Sequence, residues 1–249
     1  MSSRKPAGIA TAIPEASVTV QRPVYTEWKK VRQPNVACAN IAVTELSPDG
    51  ATDGGYKAKH SEQTVLQQHC DFFDLNSDGI ITPWETFVSM RLLGWNVLLA
   101  FLATFIIHSG LSYVTQPSHY YLPDPFFRIY ISRIHHAKHG SDTNTYDNEG
   151  RFRPQQLADF FSKYGTKMEN GDYGLTLAEA MKGVWGQRCV YDFFGVASAY
   201  FEWSATYLTI WPRDRIMCME DVRGVYDGSY FFKVAGKKRE EYISDGKLL

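Results

Sequence analysis

The chain has 249 residues, 44% of them hydrophobic, so it is long enough to bury a core as one larger domain or two small ones. With 26 basic and 27 acidic side chains its formal charge is -1, which gives no reason to expect a nucleic acid partner. The 4 cysteines are far apart and form no CxxC pair, which argues against a zinc ribbon or a disulfide framework and fits a reducing compartment. No unbroken apolar run follows the first basic residues, so we expect no secretory signal and a cytosolic location.

Residues 1–60 are rich in Pro, Ala, Gly and Thr and show no sustained hydrophobic period. This composition predicts a flexible N-terminal arm. From Ser61 onward the pattern becomes helical, because Leu66, Cys70 and Phe73 recur at steps of three and four residues.

Residues 74–85 match the pattern DxNxDGxxxxxE of an EF-hand calcium loop. Gly79 permits the sharp turn that such a loop needs, and Pro83 is tolerated at the first turn of the exit helix. The predicted ligands are the side chains of Asp74, Asn76 and Asp78, the carbonyl of Ile80, Thr82 through a bridging water, and both carboxylate oxygens of Glu85.

Calcium hands usually occur in pairs, and one later region resembles a second hand. The segment 159–165 (DFFSKYG) resembles the helix before the loop, and 175–179 (LTLAE) resembles the loop's end, with Thr176 and Glu179 matching Thr82 and Glu85. The stretch between them is too long and lacks the glycine. We therefore expect a degenerate hand that pairs with the first and binds no metal, with two ordinary helices as the alternative.

A long uncharged segment follows the calcium loop, with no acidic or basic residue between Arg91 and Asp124. Residues 92–114 would form a helix about 35 Å long, nominally enough to cross a bilayer. Asn96 and His108 reduce the gain from insertion, and aromatic residues flank the segment as at a membrane interface. This favours a membrane-associated segment with partial insertion over a buried core helix or a true span.

Three prolines, Pro117, Pro123 and Pro125, then break the helix. Such a bend suits a segment that enters lipid and returns on the same side. Farther along, Pro154 and Gly165 bound a predicted helix, and Thr176 with Glu179 forms a capping box. The remaining segments indicate amphipathic helices, so the predicted class is mainly α.

Four histidines are candidates for chemistry. His69 is on the entry helix of the calcium loop, and His135, His136 and His139 occur in IHHAKHGSD. On a helix His135 and His139 would share a face, but no third zinc ligand is evident. His69 with one of that pair could instead serve a haem, as an axial ligand or as a distal acid and base. No CxxCH motif occurs, so attachment would be non-covalent; ordinary hydrogen-bonded histidines are the alternative.

Three motifs in this order resemble the caleosin family over roughly residues 61–235: LQQHCDFFDLNSDGIITPWETF, the uncharged segment with its proline bend, and IHHAKHGSDTNTYDNEGRF. The resemblance implies a calcium-binding haem peroxygenase on the cytosolic face of lipid droplets and endoplasmic reticulum. Such an enzyme takes one oxygen from a fatty acid hydroperoxide and passes it to an unsaturated fatty acid, as an epoxide, or to another acceptor. The family's two haem-associated histidines fall on His69 and His139, and the cofactors implied are haem b and calcium.

This chain departs from the family in its prolines, which are spaced more widely than the family's proline knot and put droplet targeting in doubt. A chemical constraint also applies, since a peroxygenase must leave one iron position open for the hydroperoxide. One of His69 and His139 must therefore be proximal and the other distal, and the sequence does not say which. Calcium at residues 74–85 would order the helix that carries His69.

The sequence thus predicts a calcium-dependent haem peroxygenase, with two rivals. One rival is a non-catalytic calcium-binding structural protein of the droplet surface, and the other is a soluble calcium sensor; self-association into a homo-oligomer remains open. The predicted divisions are the arm (1–60), the EF-hand (61–90), the apolar segment with its bend (91–128), a helical region with the second haem histidine (129–235) and a polar tail (236–249).

Overall fold

The structure, a computed structural model, describes residues 24–117 and 121–245 and is mainly α, as predicted. The α-helices are α1 (Tyr56–Lys59), α2 (Val65–Asp71), α3 (Pro83–Leu92), α4 (Val97–Thr115), α5 (Pro154–Tyr164), α6 (Leu177–Gly186), α7 (Phe193–Ile210), α8 (Met219–Tyr226) and α9 (Ser229–Ser244). The strands, all short, are β1 (Ile80–Ile81), β2 (Ile129–Tyr130), β3 (Thr166–Lys167), β4 (Tyr173–Thr176) and β5 (Ile216–Cys218), and 3₁₀ helices span Asp53–Gly55 and Ile131–Ala137.

Helices α2 and α3 flank the predicted calcium loop, and each begins at a capping box. Thr64 accepts a hydrogen bond from the backbone N–H of Gln67, whose side chain accepts from the Thr64 N–H. Thr82 and Glu85 form the same reciprocal pair at the start of α3, where Pro83 occupies the first turn. These contacts satisfy N–H groups that a helix leaves without partners, so they fix where both helices begin.

The strand of the calcium loop pairs with the segment after α4. Ile80 lies opposite Tyr130 and Ile81 opposite Ile129 in an antiparallel register. Each of these strands directly precedes a helix, α3 in one case and the 3₁₀ helix Ile131–Ala137 in the other. The α2–α3 unit is therefore joined edge to edge with a unit made of α4 and that 3₁₀ helix.

A second pair of helix–strand–helix units lies farther along the chain. Strand β4, between α5 and α6, pairs antiparallel with β5, between α7 and α8, and Leu175 lies opposite Met217. The region resembling a second hand, 159–179, is thus present as a helix–strand–helix unit, but its predicted partner is wrong: β4 pairs with β5 and β1 pairs with β2. Gly174 gives a physical reason, because a Cβ there would lie 2.3 Å from Cγ2 of Ile216, so only glycine lets β5 approach.

Two clusters of buried side chains form the core, and α2 and α8 contribute to both. Val65 of α2 and Val222 of α8 belong to the cluster around α5, α6 and α7, whereas Cys70 and Val225 belong to the cluster around α3, α4 and α9. Because α2 and α8 also pack against each other, they join the two pairs of units. His69, on α2, lies at this junction.

Helix α4 buries small and polar side chains and exposes large apolar ones. Its buried residues are Ala100, Ala103, Thr104, His108, Ser112 and Thr115. Its exposed large residues are Val97, Leu98, Phe101, Leu102, Phe105, Ile106, Tyr113 and Val114. Among the described residues, α4 is the helix long and apolar enough to cross a membrane, with 28% of it buried in the protein. This pattern is inverted relative to a soluble surface helix, so the outer face suits a lipid environment.

The N-terminal region and the C-terminal tail are more structured than expected, as far as the structure describes them. Ala42 and Thr44 are buried, Thr44 donates a hydrogen bond to Glu220 of α8, and Cys38 forms an antiparallel bridge with Phe152. Residues 24–60 therefore lie on the helical body, held by contacts with distant segments that local composition does not encode. Residues 1–23 of the predicted arm lie outside the described residues, and α9 extends to Ser244, inside the predicted tail.

Candidate active site and calcium loop

The first half of the predicted calcium loop is held by its own side-chain oxygens. Asp74 accepts hydrogen bonds from the backbone N–H of Asp78 at 3.2 Å and of Gly79 at 2.8 Å. Asn76 accepts from the Asp78 N–H at 3.1 Å, and Asp78 accepts from the Ile80 N–H at 2.8 Å. Gly79 has φ +80°, a conformation that glycine adopts without steric cost. The chain therefore makes the tight turn that the pattern predicts.

Glu85 closes the loop from the start of α3. Its carboxylate accepts hydrogen bonds from the N–H of Leu75 at 3.2 Å, and from the N–H and hydroxyl of Thr82 at 2.9 Å and 2.8 Å. Glu85 and Asp74 are both buried. The carboxylate thus links the beginning of the loop to its end.

Burial raises the pKa of Asp74, and the charges of Asp78 and Glu85 raise it further, against hydrogen bonds from the Gly79 and Asp78 N–H groups that lower it. Crowded carboxylates of this kind are what a divalent cation would stabilise. In the described part of the chain, no three His, Cys, Asp or Glu side chains meet closely enough to hold an ion by themselves. The loop fits calcium by its turns and oxygen donors, and binding would have to draw the carboxylates together.

Arg239 of α9 connects the calcium loop to the rest of the protein. Its guanidinium donates to the carbonyls of Phe72 at 3.0 Å and Asp74 at 2.6 Å. On the same helix, Phe231 packs edge-on against the His69 ring, with centroids 5.2 Å apart. One helix thus contacts both the first calcium-loop residue and the candidate haem histidine.

His69 has one ring nitrogen fixed and the other available. Its Nδ1 lies 2.7 Å from the carbonyl oxygen of Val225, and because a carbonyl only accepts, Nδ1 carries the hydrogen. Burial lowers the pKa of His69, although the Val225 carbonyl and the charge of Glu202 oppose that shift, so the neutral ring is favoured. Among the described residues none hydrogen-bonds to Nε2, which therefore keeps a free lone pair. An imidazole that binds a metal is commonly held in this way.

Gly228, in the turn between α8 and α9, lies directly against the backbone of His69. A Cβ at this position would be 2.5 Å from the Gln68 carbonyl oxygen and 3.1 Å from the Cα of His69, and its φ is +77°. The glycine therefore lets the end of α8 approach α2. This approach brings the Val225 carbonyl to the ring.

His139 is held in a different way. Its Nε2 lies 3.1 Å from a carboxylate oxygen of Glu202, and its Nδ1 is buried without a hydrogen-bond partner. Burial alone would lower the pKa of His139, but the hydrogen bond and charge of Glu202, with the charges of Asp142 and Asp192, raise it overall. His139 is thus a carboxylate-paired imidazole with one unsatisfied nitrogen.

The 3₁₀ helix Ile131–Ala137 ends before His139, so His135 and His139 do not share a helical face, contrary to the zinc-like pairing considered from sequence. Lys138 is already extended, with φ −61° and ψ 128°. Helix α2 packs against this 3₁₀ helix, which brings the segments bearing His69 and His139 to one side of the protein.

Sequence analysis missed Glu202, the only charged residue of α7. It contacts His139 and its charge also acts on His69. A lone carboxylate within an otherwise uncharged helix was the available signal. Glu202 also lines a small cavity with Trp203 and Tyr226; its volume of about 20 Å³ is far below the usual size of small-molecule sites. The Nε2 donor of His69 fits a haem iron, whereas this cavity is too small to hold a porphyrin.

The chain matches the family model of caleosin-related proteins over residues 61–235. It is 39% identical to a protein named Peroxygenase from Lilium longiflorum over 90% of each chain, and 34% identical to Probable peroxygenase 4 from Arabidopsis thaliana over 72% of this chain and 90% of that one. It is also 32% identical to an Arabidopsis thaliana protein named Probable inactive peroxygenase-like protein, over 59% of this chain and 67% of that one.

No solved structure matches the chain. The family match covers most of the chain, and the relative from Lilium longiflorum extends over nine-tenths of it. The chain therefore belongs to the caleosin family and is an oxidoreductase of the peroxygenase class.

Proposed function

We propose that this protein is a calcium-dependent haem peroxygenase that acts on fatty acid hydroperoxides at a lipid surface. His69 would be the proximal iron ligand and His139 the distal acid and base. The observation that carries this proposal is the contrast between the two imidazoles: His69 has a fixed Nδ1–H and a free Nε2, whereas His139 has its Nε2 bound to Glu202 and an unsatisfied Nδ1.

The assignment of His69 as the ligand follows from ring chemistry. A porphyrin needs an unhindered nitrogen, and Nε2 is unhindered because it is remote from the Cβ atom, whereas Nδ1 is beside it. His69 offers Nε2 and His139 does not, since its Nε2 is paired with Glu202. The Val225 carbonyl would hold the ligand's orientation and increase its basicity. Bound there, a haem would supply the redox chemistry that splits an O–O bond.

His139 would move the proton. Its Nδ1 accepts the proton of the hydroperoxide and returns it to the oxygen of the departing alcohol, while Glu202 stabilises the imidazolium through Nε2–H. The overall reaction needs no further reductant: the hydroperoxide ROOH becomes the alcohol ROH, and the oxygen it loses becomes the epoxide oxygen of an unsaturated fatty acid or is taken by another acceptor.

Calcium would control this site through α2. We expect the EF-hand loop to bind it with Asp74, Asn76, Asp78, the Ile80 carbonyl, Thr82 and Glu85 as ligands. An ordered loop fixes the end of α2, and Arg239 joins this end to α9, which also contacts His69. Loss of calcium would therefore loosen the histidine as well as the loop.

The place of action would be the cytosolic face of lipid droplets and endoplasmic reticulum. The outer face of α4 presents large apolar side chains, and its inner face is attached to the protein by His108, which bonds to Thr86 and to the Phe127 carbonyl. This arrangement supports partial insertion, since the buried face has to stay on the protein. Hydrophobic substrates would be concentrated at the same surface.

The test is the absorption spectrum and the peroxygenase turnover of protein purified with haem. We expect His69→Ala to lose the Soret band, and His139→Ala to keep the band and lose turnover by about 100-fold or more. His135→Ala is the matched control, because His135 lies in the same segment and its ring packs against the neighbouring His136 ring, and this variant should keep both properties. Equal loss of haem in the first two variants would contradict the division of roles, and absence of any band in the parent protein would favour the structural alternative.

A further inference from the structure

A second exposed apolar surface lies far from α4 in sequence. It comprises residues 185–194, which we call the aromatic loop and which run from the last two residues of α6 to the first two of α7. Its exposed large side chains are Trp185, Val190, Tyr191, Phe193 and Phe194. Tyr191 is 86% exposed and Phe193 80% exposed. A cluster of this kind on a soluble surface is costly unless it contacts an apolar partner.

The aromatic loop is held in shape, so its side chains are presented outward. The carboxylate of Asp192 accepts hydrogen bonds from the N–H of Ser141 at 2.7 Å and of Gly195 at 2.8 Å. Tyr191, the residue before Asp192, has φ +59°, which is uncommon for a bulky residue. The Asp192 carboxylate is thus held by backbone N–H groups of the protein, while the large apolar side chains of the loop face out.

The aromatic loop lies beside α4 because α4 and α7 run antiparallel. The indole N–H of Trp95, just before α4, donates to Thr209 near the end of α7 at 3.3 Å. At the other end, a Cβ placed on Gly110 of α4 would lie 3.7 Å from Cζ of Phe194, at the start of α7. The exposed face of α4 therefore continues into the aromatic loop.

The charges around the aromatic loop favour an anionic lipid surface over a neutral protein partner. Arg188 lies 3.9 Å from the Trp185 ring centroid, and Lys182 is also exposed. Asp192, the acidic residue of the loop, is engaged internally. Aromatic side chains with adjacent basic residues are typical of segments that lie at the headgroup level of a membrane.

We propose that the aromatic loop is a second lipid-contacting element, which lies with α4 on a phospholipid surface containing anionic headgroups. The loop also borders the candidate active site, since the rings of Phe194 and His139 are 6.4 Å apart edge to face. The lipid surface would therefore reach to the entrance of that site. The contact with lipid does not depend on the proposed reaction and is tested without it.

The test uses an environment-sensitive fluorophore on a single introduced cysteine in the full chain, with Cys38, Cys189 and Cys218 changed to Ser and the buried Cys70 kept. The label is placed in the aromatic loop (Val190→Cys), on α4 (Leu98→Cys) or on the N-terminal region (Leu46→Cys); these three sites are 82%, 75% and 56% exposed. The probes are phosphatidylcholine vesicles with and without phosphatidylserine, each with brominated acyl chains.

We expect quenching and a blue shift at Val190→Cys and Leu98→Cys but not at Leu46→Cys, and stronger binding to the anionic vesicles. Quenching at Leu98→Cys alone would overturn the proposal, because α4 would then act by itself. Equal quenching at all three sites would also overturn it, since the contact would not be specific to the loop. A blue shift at Val190→Cys that grows with protein concentration in the absence of vesicles would show that a second copy of the chain covers the aromatic loop. That result would also overturn the proposal.

As a second measurement, Tyr191→Ser with Phe193→Ser should weaken partition onto anionic vesicles about tenfold, because two exposed aromatic side chains lose their burial in lipid. The matched control is Val36→Ser with Leu46→Ser, which removes apolar groups that are 55% and 56% exposed in another region. If both pairs of substitutions change partition equally, the aromatic loop has no special role.

Discussion

Glu202 lies 3.1 Å from His139 Nε2, and its charge also acts on His69. One exposed carboxylate on α7 thus influences both candidate histidines, which come from segments before and after the apolar helix. It makes His139 easier to protonate, whereas burial keeps His69 neutral. The surroundings of these two imidazoles therefore shift their pKa values in opposite directions.

Glu202→Gln should move the acidic limb of the activity profile to lower pH. Glu202 raises the pKa of His139 in the folded protein, so His139 becomes a neutral base only above its usual range; without the charge it does so at lower pH. The measurement is kcat/KM against pH with fatty acid hydroperoxide. Glu62→Gln is the control, because Glu62 is exposed and is not among the charges that raise the pKa of His139, and an equal shift there would contradict the assignment.

The same substitution should lower stability only in acid. Glu202 raises the folded-state pKa of His139 above the ordinary value of 6.5, so the ion pair stabilises the fold fully below pH 6.5 and ceases to do so as pH rises through the folded pKa. Glu202 is 58% exposed, so we expect about 0.5 kcal/mol in the free energy of unfolding. Urea unfolding of parent and variant at acidic and alkaline pH measures the difference, and a larger loss at alkaline pH would have the wrong sign.

Glu85→Gln should weaken calcium binding by about tenfold or more, because the loop loses the charge of its bidentate ligand. Glu179→Gln is a close control: Glu179 occupies the same position in the capping box of α6, and glutamine keeps both caps. Calorimetric titration with calcium measures the affinity. We expect the second variant to bind calcium as the parent does.

Glu85→Gln also tests the coupling between the loop and His69. The Soret band of the parent should weaken when a chelator removes calcium, because α2 loses an ordered end, and the variant should resemble the chelated parent. A variant that binds haem and turns over as well as the parent with calcium would show that the loop does not control the histidine.

Gly228→Ala should reduce haem binding as well as stability. The new methyl group would lie 2.5 Å from the Gln68 carbonyl oxygen and would displace the turn that brings the Val225 carbonyl to His69. Gly171→Ala has a similar φ, +85°, with nothing within 4 Å of the added atom. Both variants should therefore lose about 1–2 kcal/mol from backbone strain, and only Gly228→Ala should lose Soret absorbance and further stability.

Tyr191→Ser with Phe193→Ser should lower kcat/KM for a hydroperoxide embedded in anionic vesicles, because the enzyme is held less well on the surface that contains its substrate. The value for the same substrate dispersed in detergent should stay near that of the parent. Equal losses in both assays would indicate damage to the site near Phe194 instead of a change in lipid contact.

Local sequence signals predicted the helices well where a cap and a helical period agreed. The structure confirms the helix from Pro154, with Gly165 as its C-cap, and the capping box of Thr176 and Glu179. It also places α4 within the predicted apolar segment. These features depend on neighbours within a few residues, which is why periodicity and caps identify them.

Strand pairing could not be predicted in this way. The resemblance of 159–179 to a hand is visible in sequence, but its partner β5 lies much farther along the chain and carries no calcium pattern. The choice depends on which edges remain open after the helices pack, and on Gly174 admitting Ile216. Burial of residues 24–60 depends on the same kind of distant contact.

The sequence by itself determined the mainly α class, the oxygen-donor spacing of the predicted calcium loop and the uncharged segment, because residue type and spacing encode them. Spacing left four candidate histidines, and the family resemblance singled out His69 and His139 among them. Only the tertiary structure decided that Val225 orients His69, that Glu202 pairs with His139, and that the aromatic loop lies beside α4. These relations join residues far apart in the chain, and burial and packing, which no local pattern specifies, bring them into contact.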